Sequence, residues 1–400
     1  VALRATAISL AAVLGLGACT GAGLQRMPVP AERSDAVQPV GFSQVRTWGD
    51  ERPPFAEEVK HQQVAALKKR YAAQGEPDDG VSLDFLALSG GAEDGAFGAG
   101  LLTGWSDRGT RPEFQVVTGI SAGALIAPFA YLGEAYDPML REAFTDDRTR
   151  DFATPQILSA MFGALSFLDP EPLEAAIRSY VTPTLLEAVA REHREGRHLL
   201  IGTTNLDAGR LVIWNMGRIA NSTNPRRLEL FRKVILASAS IPGAYPPVTM
   251  DVVSDGNRYT ELHVDGGVAR SVFAYPFQLR LDVASDVGFP VDRTLYVIQN
   301  NRVDPPYRPV DGELTAIAES AFSTLIRHQS GGDLFRIFAA SQRDDFAFRL
   351  ATLPDDFDRQ PDGRFDPDYM TALFERAHAM AENGYPWRDS PPGLSLDDLR

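Results

Sequence analysis

The sequence predicts an α/β protein built on a mainly parallel central sheet. Two successive strand–turn–helix units carry that expectation, together with a composition able to fill a large core. The first unit runs from the apolar stretch Val81–Leu88 through a glycine-dense turn into helical residues that reach Trp105. The second runs from Phe114–Thr118 through another tight turn into Ala122–Leu132. Neighbouring parallel strands need a crossover, and a helix after each strand supplies it. Of the 400 residues, 44% are hydrophobic and 23% charged, which excludes wholesale disorder. The 53 acidic and 39 basic residues give a net charge of −14. A surface of that sign lacks the basic field that gripping nucleic acid requires, so no nucleic-acid partner is expected.

The other elements follow in chain order. Val64, Leu67 and Tyr71 mark one face of a helix over about 56–73, which Asp78-Asp79-Gly80 separates from the first core strand. Residues 134–195 read as mostly helical. Within them Leu173, Ile177, Tyr180 and Val181 form an apolar face, and Thr182-Pro183 is a helix N-cap followed by proline at the first helical position. His198–Leu206 and Leu211–Met216 are expected to pair as a hairpin through Asp207-Ala208-Gly209. Asn224-Pro225 opens a helix running to about Ser240, and Ile241-Pro242-Gly243 stops it. Tyr259–Val264 and Thr294–Gln299 are further strands, and helices are expected near 312–329 and 366–383. No composition break divides residues 56–400, which are read as a single domain.

The first residues have a different character. Residues 1–18 carry one charge, Arg4, and then the small and apolar run Ala5–Ala18, the layout of an export signal. The run is short of the roughly 20 apolar residues that a membrane span requires. It ends Leu16-Gly17-Ala18-Cys19, which resembles the lipobox of bacterial lipoproteins. That resemblance implies cleavage before Cys19, acylation of the cysteine, and a lipid-anchored protein of the cell envelope. Thr20, where inner-membrane lipoproteins tend to have Asp, directs the expectation to the outer membrane. Residues 19–55, rich in proline, glycine and polar side chains, are read as a tether. Cys19 is the only cysteine, so no intrachain disulfide and no cysteine-based metal site can form. No metal or cofactor is expected.

Three places can carry chemistry. Gly119-Ile120-Ser121-Ala122-Gly123 fits G-x-S-x-G between an apolar strand and an apolar helix. A sharp strand-to-helix turn there exposes the Ser121 hydroxyl and needs small residues at Gly119 and Gly123. The following helix start adds N–H groups and positive dipole. Ser89-Gly90-Gly91-Ala92-Glu93-Asp94-Gly95 leaves the first core strand and lacks the Lys-Ser/Thr of a nucleotide loop. Its use is to present bare N–H groups of Gly90, Gly91 and Ala92 to an oxygen that becomes negative. Gly98 and Gly100 are expected to serve close helix packing instead. Asp265-Gly266-Gly267 ends the strand Tyr259–Val264, where a carboxylate can face a nucleophile on a neighbouring strand.

The order of these three, with Ala237-Ser238-Ala239-Ser240-Ile241-Pro242-Gly243-Ala244-Tyr245-Pro246-Pro247-Val248 between the last two, resembles the patatin-like phospholipase family over about residues 84–300. The resemblance implies a three-layer α/β/α fold, a Ser121–Asp265 dyad with Gly266 and Gly267 completing the proton-acceptor motif, and metal-independent cleavage of acyl esters of phospholipids or lysophospholipids. The partner it implies is membrane lipid, as substrate. Two positions depart from the family loop, Gly-Gly-Gly-x-Arg-Gly: Ala92 replaces the third glycine and Asp94 the arginine. Asp94 is expected to point outward and cap the helix beginning near Gly95; weakened activity, or a catalytically silent lipid-binding role, is the alternative those changes leave open.

A Ser–His–Asp triad is the rival mechanism. His328 follows Asp265 in the order Ser…Asp…His and is its best candidate, while His263 shares Asp265's face of the strand and is a candidate pocket residue. His61 and His193 are expected at the surface, and His198 and His378 have no motif around them. The apolar run Met161–Leu168 reads as core or as the wall of an acyl tunnel.

Overall fold

The structure, a computed structural model, describes residues 24–155, 168–280, 286–302, 307 and 309–394. The signal-like segment, Cys19 and residues 161–167 of the apolar run lie outside the described residues. Ten strands form one sheet: β1 (Gln38–Pro39), β2 (Arg46–Trp48), β3 (Val81–Leu88), β4 (Val116–Gly119), β5 (His198–Asn205), β6 (Arg210–Asn215), β7 (Val248–Ser254), β8 (Asn257–Asp265), β9 (Val291–Gln299) and β10 (Ala347–Thr352). Strands β10, β9, β3, β4 and β5 run parallel in that order, and β6, β8, β7, β1 and β2 extend the sheet antiparallel. The C-terminal halves of the parallel strands are largely buried, because helices cover both faces.

Those helices are α1 (Ala56–Ala73), α2 (Gly95–Asp107), α3 (Ala122–Leu132), α4 (Asp137–Thr145), α5 (Glu171–Tyr180), α6 (Pro183–Arg194), α7 (Met216–Ala220), α8 (Arg227–Ala239), α9 (Leu314–Arg343) and α10 (Pro367–Glu382). One cluster of buried side chains, including Leu88, Phe97, Leu102, Ile126 and Phe374, fills the space under α2, α3 and α10. A second, including Phe85, Leu295, Phe338 and Phe348, lies beneath α9. The α/β/α layering of the sequence reading is therefore present. The Thr182 side chain caps α6, accepting the Leu185 N–H at 3.2 Å, and Pro183 is the first helical residue. Gly100 and Gly104 let α2 cross α10 at backbone contact: a Cβ there would lie 2.1 Å from the Phe374 carbonyl oxygen and 2.2 Å from that of His378.

The tether reading fails for the described part of residues 19–55. β1 pairs with β7 and β2 with β6, and Val37, Phe42, Val45 and Trp48 are buried. Arg46 forms a buried ion pair with Glu261 of β8. Composition misled because this arm has no periodicity of its own; distant strands organise it.

The register of β5 brings the two ends of interest together. β6 occupies one edge of β5 from Leu200 to Asn205. The other edge is shared: β4 pairs with His198–Ile201 and β8 with Thr203–Asn205. Since β4 is parallel to β5 and β8 antiparallel, both point their C-terminal ends at the same gap. Gly119 lies opposite Ile201, Asp265 lies opposite Thr203, and Gly202 alone separates them.

Candidate active site

Ser121 is the second residue beyond β4, in the turn that enters α3. Its backbone has φ +54° and ψ −123°, a left-handed φ that costs a non-glycine residue about 1–3 kcal/mol. The neighbours show why the turn needs glycines. A Cβ on Gly119 would lie 2.4 Å from the Gly123 carbonyl oxygen, and one on Gly123 would lie 2.4 Å from that of Leu88. Ser238 of α8 holds the turn from the side: its Oγ accepts the Ser121 N–H at 3.0 Å and donates to the Gly202 carbonyl at 2.7 Å. This buried hydroxyl bridges the gap between β4 and β8.

Asp265 ends β8 and is buried, and it lines the same cavity as Ser121. The Gly267 N–H donates to its Oδ1 at 2.7 Å, while the Thr204 hydroxyl donates to its main-chain oxygen at 2.9 Å. Burial pushes the Asp265 carboxyl up to about 7, although the Ser121 hydroxyl and the Gly267 N–H both hold it down. Gly266 is a steric requirement, since a Cβ there would meet the Gly202 carbonyl oxygen at 2.6 Å.

The glycine loop is fixed by residues beyond β9. The Asn300 N–H donates to Ser89 Oγ at 2.7 Å, its side-chain amide donates to the Ser89 carbonyl at 2.9 Å, and its Oδ1 accepts the Gly98 N–H at 3.0 Å. Asn301 donates to the Gly90 carbonyl at 3.0 Å. One expectation is corrected here: the Gly90 N–H donates to the Ser271 carbonyl at 3.0 Å and is not available to an oxyanion. Among the described residues, the N–H groups of Gly91 and Ala92 have no protein acceptor. Ala92 stands at φ +49°, so the residue replacing a glycine keeps the left-handed backbone at a steric cost.

Asp94 does point away from this pocket, but it does not cap α2. It lies at the N-cap without a side-chain bond there, and its Oδ1 accepts the Tyr369 hydroxyl of α10 at 2.6 Å. Two histidine expectations also change. His263 is fully buried between the Thr203 hydroxyl at 2.9 Å and Glu261 at 3.1 Å, where it supports the sheet rather than lining a pocket. His193, expected at the surface, is buried with its ring edge-on to His198. His198 itself is buried, and burial lowers its pKa to about 3, so it stays neutral. His61 is exposed, and His378 pairs with Asp107 at 2.7 Å. His328 sits on the exposed side of α9; among the described residues it has no hydrogen bond to Ser121 or Asp265.

Ser121 and Ala92 stand between two cavities. One, of about 70 Å³, is a narrow apolar slot walled by Leu125, Phe129, Phe144, Ile177, Ile235 and Tyr245. Most of its described walls come from α3, α4, α5 and α8; residues 161–167 of the apolar run lie outside the described residues. The other, of about 580 Å³, mixes apolar side chains such as Ile241, Val268 and Leu334 with Asp265, Ser271, Gln299, Arg302 and Arg327.

An α/β sheet carrying a serine on a strained strand-to-helix turn, beside a buried carboxylate and a glycine loop, is the framework of an acyl hydrolase. A family model described as patatin-like phospholipase matches residues 86–277, so that part of the chain is a patatin-like phospholipase domain. The domain is of the lipid acyl hydrolase class. Three solved structures are similar at low identity. VipD from Legionella pneumophila shares 12% identity with a TM-score of 0.32, over 77% of this chain and 67% of VipD. Human GIVD cytosolic phospholipase A2 shares 12% with a TM-score of 0.34, over 80% of this chain and 56% of the human one. ExoU of the Pseudomonas aeruginosa type III secretion system, solved with SpcU, shares 14% with a TM-score of 0.28, over 76% of this chain. Only 51% of the matched chain in that complex is spanned. No curated protein matches the chain.

Proposed function

We propose that the chain is a serine acyl hydrolase acting on ester-linked fatty acyl chains of phospholipids or lysophospholipids, with Ser121 as nucleophile and Asp265 as base. The juxtaposition of Ser121 and Asp265 across the β4/β8 gap, where both line one cavity, is the observation that carries this reading. Ionised Asp265 takes the Ser121 proton as Oγ attacks the ester carbonyl carbon. The resulting oxyanion is received by the N–H groups of Gly91 and Ala92, with the N-terminus of α3 alongside. Collapse breaks the C–O bond, and the leaving alcohol takes the proton from Asp265. Water then adds to the acyl-enzyme, gives a proton to Asp265, and the fatty acid leaves as Ser121 regains it. Aspartate is a weak base in water, with a pKa of about 3.9; burial that lifts Asp265 to about 7 matches it to neutral pH. The apolar slot suits the acyl chain.

Labelling by a fluorophosphonate probe and hydrolysis of lysophospholipid test the reading together. Ser121→Ala abolishes both, and Asp265→Asn lowers hydrolysis about 10³-fold or more. A wild-type protein that is folded yet neither labels nor hydrolyses overturns it. Replacing His328 by Gln leaves the rate within about two-fold in this mechanism, whereas loss comparable to Ser121→Ala would install the triad.

The chain is also read as a lipoprotein acylated at Cys19 and held at the outer membrane. Support comes from the lipobox-like Leu16-Gly17-Ala18-Cys19. Among the described residues no helix is long and apolar enough to cross a membrane. Cys19→Ser is expected to release the protein from the membrane fraction, and mass spectrometry of the mature N-terminus reads the modification directly.

A further inference from the structure

We infer that the larger cavity beside Ser121 is a subsite for the glycerophosphate portion of a monoacyl glycerophospholipid. The inference rests on the acyl-hydrolase reading and names which half of the substrate each cavity takes.

Two buried polar atoms in this cavity lack a partner. Ser271 and Gln299 are each 2% exposed, and Ser271 Oγ and Gln299 Oε1 have no hydrogen bond among the described residues. Both residues line the larger cavity. Leaving such groups unmade inside a protein costs about 1–3 kcal/mol each, so they are groups a ligand can satisfy. The rest of each residue is firmly held. The Ser271 N–H donates to Asp333 at 2.8 Å, and the Gln299 amide donates to Ser330 Oγ at 2.7 Å. The two orphan atoms are therefore fixed in place. Gln299 Oε1 can only accept, so it calls for a donor such as a hydroxyl.

Charge supplies the second half of the recognition. Arg302, Arg327 and Arg364 all line this cavity, and Asp265 is the one carboxylate among its described lining residues. Arg302 donates to the main-chain oxygens of Phe357 and Asp355, which fix its guanidinium without neutralising it. Arg327 is exposed, and neither it nor Arg302 has a carboxylate partner among the described residues. Guanidinium groups recognise phosphate by paired, charge-assisted hydrogen bonds.

A free hydroxyl next to a phosphate is the chemistry of the glycerophosphate in a lysophospholipid. Ser121 lies between this cavity and the apolar slot. An acyl chain in the slot puts the ester at Ser121 and the glycerophosphate in the larger cavity. A second acyl chain would have to share that cavity with Arg302 and Arg327. Neutral monoacylglycerols would satisfy the hydroxyl partners but leave both arginines unused.

The test uses Ser121→Ala protein, so that binding is read apart from turnover. A short alkyl-ether lysophospholipid, below its micelle concentration, is titrated by calorimetry against the alkylglycerol of the same chain. The phosphate-bearing ligand is expected to bind at least about ten-fold tighter, with an advantage that shrinks as salt rises. Arg302→Gln combined with Arg327→Gln reduces that advantage to less than about three-fold. Ser271→Ala weakens both ligands without lowering the melting temperature, because its Oγ makes no bond in the free protein. Equal affinity for the two ligands, or an advantage that survives loss of both arginines, overturns the subsite. Inorganic phosphate binding as tightly as the lysophospholipid also overturns it, reassigning the cavity to a free anion. Tight, arginine-dependent binding by a chain whose wild type does not hydrolyse the ester analogue would sink the hydrolase reading and leave the subsite standing.

Discussion

Asp265 carries two opposite demands in one side chain. Buried and lifted to about 7, its carboxyl has a higher pKa in the folded chain than the roughly 3.9 of an unfolded one. The folded protein therefore binds the proton more tightly, and the stability this provides is fully present below about pH 4 and lost as pH rises through about 7. The proposed base must be ionised, so kcat/KM is expected to rise with pH and level off above about 7. Stability and activity move in opposite directions over that interval. Asp265→Asn should melt higher than wild type at pH 8, with the difference shrinking towards pH 5; thermal scans at the two pH values check it. Ala92 offers a gentler test. Glycine there removes a left-handed cost of about 1–2 kcal/mol and adds about 0.5–1 kcal/mol of unfolded-chain entropy. Ala92→Gly should thus stabilise by about 0.5–1 kcal/mol in urea unfolding. The strand-to-helix turn at Ser121 and the strand end at Asp265 were legible because each sits in a short local pattern. Ser238, Asn300 and Ser271 were not, since each acts through a bond to backbone or cavity far away in sequence. The quoted Ala237-Ser238 pair was the one available signal, and it pointed to family likeness rather than to the Ser121 N–H.

Among the elements, β3, α1 and α3 fall on the residues expected, because a buried strand and long helices announce themselves by composition and period. β7 and β10 were missed. β7 follows Pro246-Pro247 and is recognisable only through its antiparallel partner β8; β10 is a short strand beside β9 at the end of a long helix. The helix expected near 312–329 continues to Arg343, because Gly331 and Gly332 do not break α9. Close crossing of α2 and α10 makes the sharpest prediction at this scale. Gly100→Ala puts a methyl 2.1 Å from the Phe374 main-chain oxygen, and backbone cannot swing aside as a side chain can. The two helices must part, at a cost of about 2–3 kcal/mol, read as a lowered urea midpoint with an unchanged slope.

At the scale of the molecule, the N-terminal arm is part of the body. Arg26 pairs with Asp207, Met27 accepts the Thr260 N–H at 2.8 Å, and Arg46 reaches the buried Glu261. Burial raises the Glu261 carboxyl, but the His263 and Arg46 contacts outweigh it and hold the group down at about 2. Its contribution is present above about pH 4.3 and is lost as pH falls towards 2. Arg46→Met strands that charge and should cost about 3–5 kcal/mol at pH 7, while Arg46→Met with Glu261→Met recovers most of it. Chemical denaturation of the two variants separates the outcomes. β5 has a comparable reach, because β4 and β8 are both docked on its one edge. The separation of Ser121 from Asp265 is thereby a graduation on a ruler, marked at Ile201 and Thr203, rather than a compromise among loops. Helices may tilt and surface connections lengthen without stretching it. One extra residue between Gly202 and Thr203 would displace a mark by about 3.3 Å and turn the following side chains to the other face. Such an insertion should silence the protein, whereas the same insertion at the exposed Gly209 of the β5–β6 turn leaves the graduation untouched.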